Sequence, residues 1–156
     1  MATDKEHPDH ASVKIHPPVL LLLHMGAVYL LNRLFPFVPP DPLIWVGYLL
    51  VVVGLGLAFS AVIRFIRART TLDPHGSVSG IVKDGVYRFS RNPIYLGFVC
   101  LLIGFPFAFG SYWGLILSPL FIFLMNTLVI QPEEAYLEKK FGEAYTSYKS
   151  RARRWL

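Results

Sequence analysis

The hydrophobic and polar positions of this chain are segregated into long blocks. Apolar blocks run over residues 17–37, 42–63 and 93–132, and the last two contain no charged residue. A membrane-spanning helix needs roughly 20 apolar residues, so the third block, at about twice that length, predicts two helices. The pattern therefore predicts an all-α integral membrane protein of about four transmembrane helices, near residues 18–36, 42–65, 93–109 and 112–130.

Short connections between these blocks predict how the spans are arranged. Phe109-Gly110-Ser111-Tyr112 separates the third span from the fourth, so we expect these two to form an antiparallel helical hairpin. The first 16 residues are polar and mixed in charge, which predicts a flexible N-terminal tail. The remainder, residues 17–156, is predicted to be a single membrane domain.

Composition agrees with a membrane protein, and the charge distribution predicts its orientation. Of all residues, 54% are hydrophobic and 16% are charged, against about 25% charged in an ordinary soluble domain. The net charge is +5. Of the fifteen lysines and arginines, twelve follow the second or the fourth span: Arg64, Arg67, Arg69, Lys83, Arg88, Arg91, Lys139, Lys140, Lys149, Arg151, Arg153 and Arg154.

This excess of basic residues is typical of cytoplasmic segments of membrane proteins. We therefore expect both termini in the cytoplasm and contacts between these residues and anionic lipid headgroups. Because the basic residues flank the spans and form no separate basic domain, nucleic-acid binding is not expected.

The polar segment after the fourth span predicts an amphipathic helix. It opens with Gln131-Pro132-Glu133-Glu134, where a proline and two acids suit the first turn of a helix. Apolar and aromatic residues then recur at helical spacing, with an interruption near Gly142. Two adjacent acids at a membrane surface need partners, and Arg88 and Arg91 precede the third span. Either these groups form a structural salt bridge or they line a polar pocket for a charged ligand.

The histidines and the single cysteine predict no metal site. His7, His10 and His16 follow no standard spacing of metal ligands, and Cys100 lies inside an apolar block. A bound metal is therefore not expected.

Three spaced motifs mark the C-terminal half of the chain. They are Gly85-x-Tyr87, then Arg91-Asn92-Pro93-x-Tyr95-x-Gly97, then Glu133-Glu134-x-x-Leu137-x-x-x-Phe141-Gly142-x-x-Tyr145-x-x-Tyr148. With these motifs, over about residues 75–156, the chain resembles the isoprenylcysteine carboxyl methyltransferase family, whose bacterial members share this half with the phospholipid N-methyltransferases. The resemblance implies a methyltransferase of the bacterial inner membrane that uses S-adenosylmethionine.

The resemblance also implies where that cofactor binds. In this family it lies on the cytoplasmic side, between the loop that precedes the second motif and the C-terminal helix. By position, the implied cofactor contacts are Ser79, Gly80, Ile81, Val82, Tyr87, Asn92, Pro93, Ile94, Tyr95 and Glu133. From their charge we add Arg91 and Glu134 as candidate catalytic residues. Arg91, or alternatively Arg88, would pair with the cofactor carboxylate, and Glu134 would orient the methyl acceptor.

Two positions depart from the pattern of the family and bear on the acceptor. Histidine is usual at position 92, and the asparagine found here cannot transfer a proton. Val129 replaces the arginine that meets the substrate carboxylate in the prenylcysteine enzymes. We therefore expect a lipophilic or small acceptor that is methylated on a carboxylate, an amine or a thiol, and we do not assign prenylcysteine.

Two other functions fit parts of the same pattern. Sterol and steroid reductases share a similar C-terminal segment but use NADPH and carry more spans than this chain can hold. A non-catalytic membrane subunit of the same fold would be expected to lose some of Tyr87, Tyr95 and Glu133, and all three are present.

Overall fold

The structure, a computed structural model, describes residues 10–38, 43–69 and 78–156. Within these ranges the chain is helical and contains no strand, which confirms the predicted all-α fold. A 3₁₀ turn covers Gly85–Arg88, and a π-helical turn covers Asn126–Ile130. The α-helices are α1 (Pro17–Leu34), α2 (Ile44–Ala68), α3 (Pro93–Ala108), α4 (Trp113–Met125), α5 (Gln131–Phe141) and α6 (Glu143–Lys149).

Three helices of the described residues are long and apolar enough to cross a membrane. They are α1, α2 and the continuous helix Trp113–Phe141, which is formed by α4, the π-helical turn and α5. The third predicted span, α3, is apolar but has 16 residues, which is less than the roughly 20 that a full crossing needs. Proline at N1 begins this helix at Pro93, and the chain turns back after Ala108.

The second and third spans pack against each other through small residues. Glycines at 47 and 54 of α2 face glycines at 97 and 104 of α3, and we call these four residues the glycine interface. A Cβ atom at Gly97 would lie 2.7 Å from the carbonyl oxygen of Gly54, and one at Gly104 would lie 2.9 Å from that of Gly47. The two backbones therefore lie closer together than any side chain would permit, as in other small-residue contacts between membrane helices.

The predicted hairpin of the third and fourth spans is present. Gly110 has φ +73°, a conformation that favours glycine, and its amide donates to the carbonyl of Phe107 at 2.9 Å. Beyond this turn, Leu102 of α3 lies in a buried core with Phe121 and Met125 of α4. His24 of α1 packs edge-on against Phe121, with 5.1 Å between the ring centroids.

At the other end of the hairpin the polar segments 78–92 and 131–156 come together, and we call this part of the molecule the basic end. Helix α5 ends at Phe141, and Gly142 has φ +50° before α6 begins, which confirms the predicted interruption. After α6 the C-terminal segment returns to the start of α3, where the Arg91 amide donates to the carbonyl of Arg153 at 2.8 Å.

Part of the expected N-terminal tail lies among the described residues. Residues 1–9 lie outside them, whereas Ala11 and Val13 are buried in the core beside α4. The amide of Lys14 donates to the carbonyl of Leu128 at 3.3 Å. The chain is therefore packed from residue 11 onward, ahead of the first helix.

Candidate functional site

A cavity at the basic end brings together residues that are far apart in the sequence. Its wall is formed by the segment 78–82, the 3₁₀ turn, the start of α3, the start of α5, and α6. The two candidate catalytic residues, Arg91 and Glu134, lie in this wall. Of the ten predicted cofactor contacts, eight also lie there: Gly80, Ile81, Val82, Tyr87, Asn92, Ile94, Tyr95 and Glu133.

The other two predicted contacts are placed differently. Pro93 is fully buried in the first turn of α3, where a proline preorganises the helix start. The hydroxyl of Ser79 donates to the carbonyl of Arg69 at 3.2 Å, at the end of α2. The structure does not place either residue in the cavity wall, so the cofactor contacts expected of them have no support from its geometry.

Glu133 forms a close pair with Tyr95 in the wall of the cavity. The Tyr95 hydroxyl donates to Oε1 of Glu133 at 2.7 Å. The first turns of α3 and α5 are thereby joined across the site, because the two residues stand near the starts of those helices. One carboxylate oxygen of Glu133 is thus held by a neutral donor, and no arginine or lysine pairs with this carboxylate among the described residues.

The neighbouring residue, Glu134, is held by two arginines, and we call Arg91, Glu134 and Arg154 the ion cluster. Oε1 of Glu134 accepts from Arg91 at 2.7 Å, and Oε2 accepts from Arg154 at 2.6 Å. The side chains of Arg91 and Glu134 are only 9% and 7% exposed. The predicted contact of Arg91 with the acidic pair therefore exists and is to Glu134, whereas Arg88 lies outside this cavity.

The C-terminal segment fixes the second motif by main-chain contacts. Nη1 of Arg91 donates to the carbonyls of Lys149 and Ala152 at 3.0 and 2.9 Å. The side-chain amide of Asn92 donates to the carbonyl of Arg154 at 2.9 Å. Nε of Arg91 is buried and has no partner among the described residues, and Nη2 uses one of its two N–H groups on Glu134. Two guanidinium N–H groups are therefore left for a further acceptor.

Aromatic residues complete the wall and keep their hydroxyl protons. The Tyr148 hydroxyl donates to the carbonyl of Tyr87 at 2.7 Å, and this bond ties α6 to the 3₁₀ turn. Burial raises the pKa of Tyr148 to about 12, and it raises the pKa of Tyr87 and of Tyr145 well above the usual range. All three are therefore neutral donors at physiological pH.

Several wall residues were not predicted. Leu137, Tyr145 and Tyr148 belong to the third motif and line the cavity, so their membership of that motif was an available signal. Phe65, near the end of α2, and Ala11, ahead of α1, also line it. Nothing in the sequence around these two distinguishes them from other apolar positions.

Val129, at the position that carries an arginine in the prenylcysteine enzymes, does not line the cavity. It is fully buried in the π-helical turn, among the apolar core residues. Among the described residues no group of three or more His, Cys, Asp or Glu side chains could hold a metal ion.

The sequence over residues 42–144 matches the model of the phospholipid methyltransferase family. This match covers well over half of the chain and includes the wall segments from Phe65 to the start of α6. The chain belongs to the phospholipid methyltransferase family. The resemblance that was based on the three motifs is thus confirmed at the level of the family.

Two relatives are similar to parts of this member of the phospholipid methyltransferase family. The protein-S-isoprenylcysteine O-methyltransferase of Schizosaccharomyces pombe is 32% identical over 71 residues, which are 46% of this chain and 30% of that protein. An uncharacterized protein of Haemophilus influenzae is 36% identical over 63 residues, which are 40% of this chain and its own entire length. The chain thus matches less than a third of the length of the yeast relative. No solved structure matches it.

Proposed function

We propose that this protein is an integral membrane methyltransferase that binds S-adenosylmethionine in the cavity at the basic end. The observation that carries the proposal is the composition of the cavity wall in a member of this family. A carboxylate, a guanidinium and several aromatic rings converge there from separate segments, at the point where the apolar helices meet the polar C-terminal part. The acceptor is lipophilic or small and presents a carboxylate, an amine or a thiol.

The residues in the wall fit the chemical groups of this cofactor. The free oxygen of Glu133 accepts a hydrogen bond from an amino group or a ribose hydroxyl. Arg91 pairs with a carboxylate through its remaining guanidinium N–H groups. The rings of Tyr87, Tyr145 and Tyr148 attract a sulfonium cation through the negative charge of their π faces. The backbone of residues 80–82 supplies further donors and acceptors to an adenosine.

When bound, S-adenosylmethionine supplies an electrophilic methyl group on its sulfonium sulfur. The chain itself contributes orientation, because in-line displacement depends on the alignment of the reacting groups. Tyr95 fixes Glu133, and the apolar parts of the wall exclude water, which strengthens the electrostatic interactions within the site. For an amine or thiol acceptor, Glu133 or a water molecule takes the released proton.

We propose different roles for the two candidate catalytic residues. Arg91 is the one proposed to contact the cofactor, because both oxygens of Glu134 already accept hydrogen bonds from arginines. In our proposal Glu134 is therefore a positioning residue that holds Arg91 in the wall. Its contact with the acceptor remains a prediction from the sequence.

Ligand titration of the purified protein in detergent tests the proposal. A ligand that binds the native state raises its apparent stability, by about 2.7 kcal/mol at one hundred times its dissociation constant. We expect a rise in melting temperature with S-adenosylmethionine and with its demethylated product, and none with NADPH. A rise with NADPH alone would indicate a reductase, and no rise with either would favour a non-catalytic subunit.

A matched pair of variants links that shift to the cavity. Glu133→Gln removes the charge that faces the ligand, and Tyr95→Phe removes the donor that orients it. Glu143→Gln is the control, because Glu143 is exposed on α6 and lies outside the wall. We expect at least a tenfold weaker affinity in the first two variants and an unchanged affinity in the third. Equal affinities in all three would remove Glu133 and Tyr95 from the cofactor site.

The orientation in the membrane is part of the same proposal. The basic end faces the cytoplasm of a bacterial inner membrane, since Lys and Arg accumulate on that side, and both termini lie there. A reporter fused to the C-terminus that is active only in the cytoplasm tests this orientation. Activity only of a periplasmic reporter would reverse it.

A further inference from the structure

A second cleft lies at the basic end, beside the cavity described above. Tyr148 lines both spaces, so the cleft and the cavity share one wall residue. Three of the six residues that line the cleft are cationic and none is acidic: Lys83, Arg88, Ser147, Tyr148, Arg151 and Ala152. This concentration of one sign of charge is not explained by the methyl-transfer site.

Two of the three cations of the cleft are held by hydrogen bonds that leave their charge unpaired. Nζ of Lys83 donates to the carbonyl of Ala144 at 3.1 Å, and Nη2 of Arg151 donates to the hydroxyl of Ser147 at 3.2 Å. Among the described residues no carboxylate pairs with Lys83, Arg88 or Arg151. The hydroxyl of Ser147 retains its own proton for donation to an acceptor.

The nearest acidic residues along the chain do not neutralise the cleft. Asp84, next to Lys83, pairs with Arg64 at 2.5 Å. Glu143 lies at the start of α6 and does not line the cleft. The positive charge of the cleft is therefore not compensated by a carboxylate among the described residues.

Exposed apolar residues beside the cleft indicate its level relative to the bilayer. Phe89, which follows Arg88 directly, is 73% exposed, and Ile66 in the last turn of α2 is 68% exposed. The 3₁₀ turn that carries Arg88 packs against α2 near that end. Large apolar side chains so exposed at the end of a spanning helix contact lipid, so Arg88 stands at the level of the headgroups.

We propose that this cleft binds the phosphate ester of an anionic molecule, with a phospholipid headgroup as the source that its depth favours. Arginine guanidinium groups bind phosphate with two parallel hydrogen bonds, and anionic lipids attract basic residues at the membrane surface. A phosphate held by Arg88 and Arg151 links the 3₁₀ turn to the end of α6. These are the two elements that the Tyr148–Tyr87 hydrogen bond also joins, so occupancy of the cleft braces one wall of the neighbouring cavity.

Lipid binding to the full-length protein, delipidated in detergent, tests this proposal. Phosphatidylglycerol, diacylglycerol with the same acyl chains, and soluble glycerol phosphate are added separately. Retained lipid is counted by native mass spectrometry, and the melting temperature is measured in parallel. We expect phosphatidylglycerol to be retained and to raise the melting temperature, and diacylglycerol to do neither.

Variants with equal changes in charge assign the binding to the cleft. Arg88→Gln with Arg151→Gln removes two cations from it, and Arg67→Gln with Lys139→Gln removes two exposed cations of the basic end that do not line it. The affinity for phosphatidylglycerol should fall by about fivefold per cleft residue, the equivalent of about 1 kcal/mol each. Arg67→Gln with Lys139→Gln should leave this affinity nearly unchanged, and Arg88→Lys with Arg151→Lys should retain part of it.

Each outcome of this experiment decides the question. The proposal would be overturned if the two Gln pairs lost equal affinity for phosphatidylglycerol, or if diacylglycerol were retained as well as phosphatidylglycerol. Glycerol phosphate could raise the melting temperature as much as phosphatidylglycerol does, in a way that requires Arg88 and Arg151. The cleft would then still be a phosphate site, but its ligand would be a soluble molecule. Because no step uses S-adenosylmethionine, this test stands or fails separately from the proposed methyltransferase activity.

Discussion

The glycine interface and the ion cluster stabilise neighbouring parts of α3 by opposite physical means. In the glycine interface, which lies within the apolar helices, backbone atoms meet across Gly54 and Gly97 with no polar side chain involved. In the ion cluster, just before α3 begins, the buried Glu134 pairs with the buried Arg91 and with Arg154, whose side chain is 36% exposed. The first depends on shape and the second on charge, so each should respond to a kind of substitution that leaves the other intact.

The comparison also explains why the site lies where it does. Apolar helices associate in a membrane through close packing and have little need of charge. A polar ligand needs fixed charges, and these are costly in a bilayer unless they are paired. The ion cluster provides such paired charges at the end of the apolar helices, where Arg91 can be presented to a cavity without being exposed to lipid.

Removing the acid of the ion cluster should have the largest effect. Glu134→Ala leaves Arg91 buried without its carboxylate, and the loss of one partner of a buried pair costs about 3–5 kcal/mol. We expect a loss of that size in the free energy of unfolding, measured by denaturant titration in detergent. Glu138→Ala is the matched control on the same helix, because Glu138 pairs with Lys149 where both side chains are more than a third exposed. A similar loss in both variants would show that Glu134 has no special structural role.

Filling the glycine interface should have the next largest effect. A side chain at Gly54 would place its Cβ 2.8 Å from the carbonyl oxygen of Gly97 and 3.0 Å from Cβ of Cys100, so α2 and α3 must separate. Gly54→Val should destabilise the protein by about 1–3 kcal/mol. Gly56 lies on the same helix with nothing within 4 Å of an added Cβ, and Gly56→Val should be nearly neutral. Equal melting temperatures for the two variants would contradict the close approach of the helices.

Most of the fold could be predicted because it depends on local pattern. Runs of apolar residues predicted the helices, and the turn at Gly110 and the interruption at Gly142 follow from conformations that glycine adopts readily. The end of α3 was predicted to within one residue. The expected turn at Phe109-Gly110-Ser111-Tyr112 closed the third span at residue 109, and the helix ends at Ala108.

The site could be predicted only as far as its motifs reach. The contact between Arg91 and the acidic pair was one of two alternatives, but the third member of the ion cluster, Arg154, was not assigned to it. Arg154 belongs to the ion cluster because the C-terminal segment folds back onto Ser90 and Arg91. A tertiary contact of this kind leaves no pattern in the local sequence. Phe65 reaches the cavity for the same reason, through the packing of α2 beside the 3₁₀ turn.

Loss of the hydrogen bond between α6 and the 3₁₀ turn should have a smaller effect than either change above. Tyr148→Phe leaves the carbonyl of Tyr87 without its partner at 2.7 Å, and a neutral hydrogen bond contributes about 0.5–1.5 kcal/mol. Folding raises the pKa of Tyr148 from 10.0 to about 12 through burial. The folded state thus holds this proton more tightly, so the contribution is present below pH 10 and is lost as the pH rises toward 12.

Stability measured against pH checks this prediction. The difference between wild type and Tyr148→Phe should be constant from neutral pH to about pH 9 and should shrink above pH 10. Tyr136→Phe is the comparison, because Tyr136 also lines the cavity but lies on α5. A difference that grows above pH 10 would mean that Tyr148 is not the proton donor in this bond.

The exposed ion pair beside the site should show the smallest effect and completes the contrast with the ion cluster. Arg64 and Asp84 approach within 2.5 Å, but their side chains are 34% and 65% exposed. Exposed pairs contribute about 0–1 kcal/mol, so Asp84→Asn should barely change the melting temperature. Whatever it contributes should vanish between about 0.01 M and 1 M salt, as the Debye length falls from about 30 Å to 3 Å. The loss of stability in Glu134→Ala should persist across that range of salt, because buried charges are screened far less than exposed ones. If the effects of Glu134→Ala and Asp84→Asn decreased equally with salt, the ion cluster would be open to solvent.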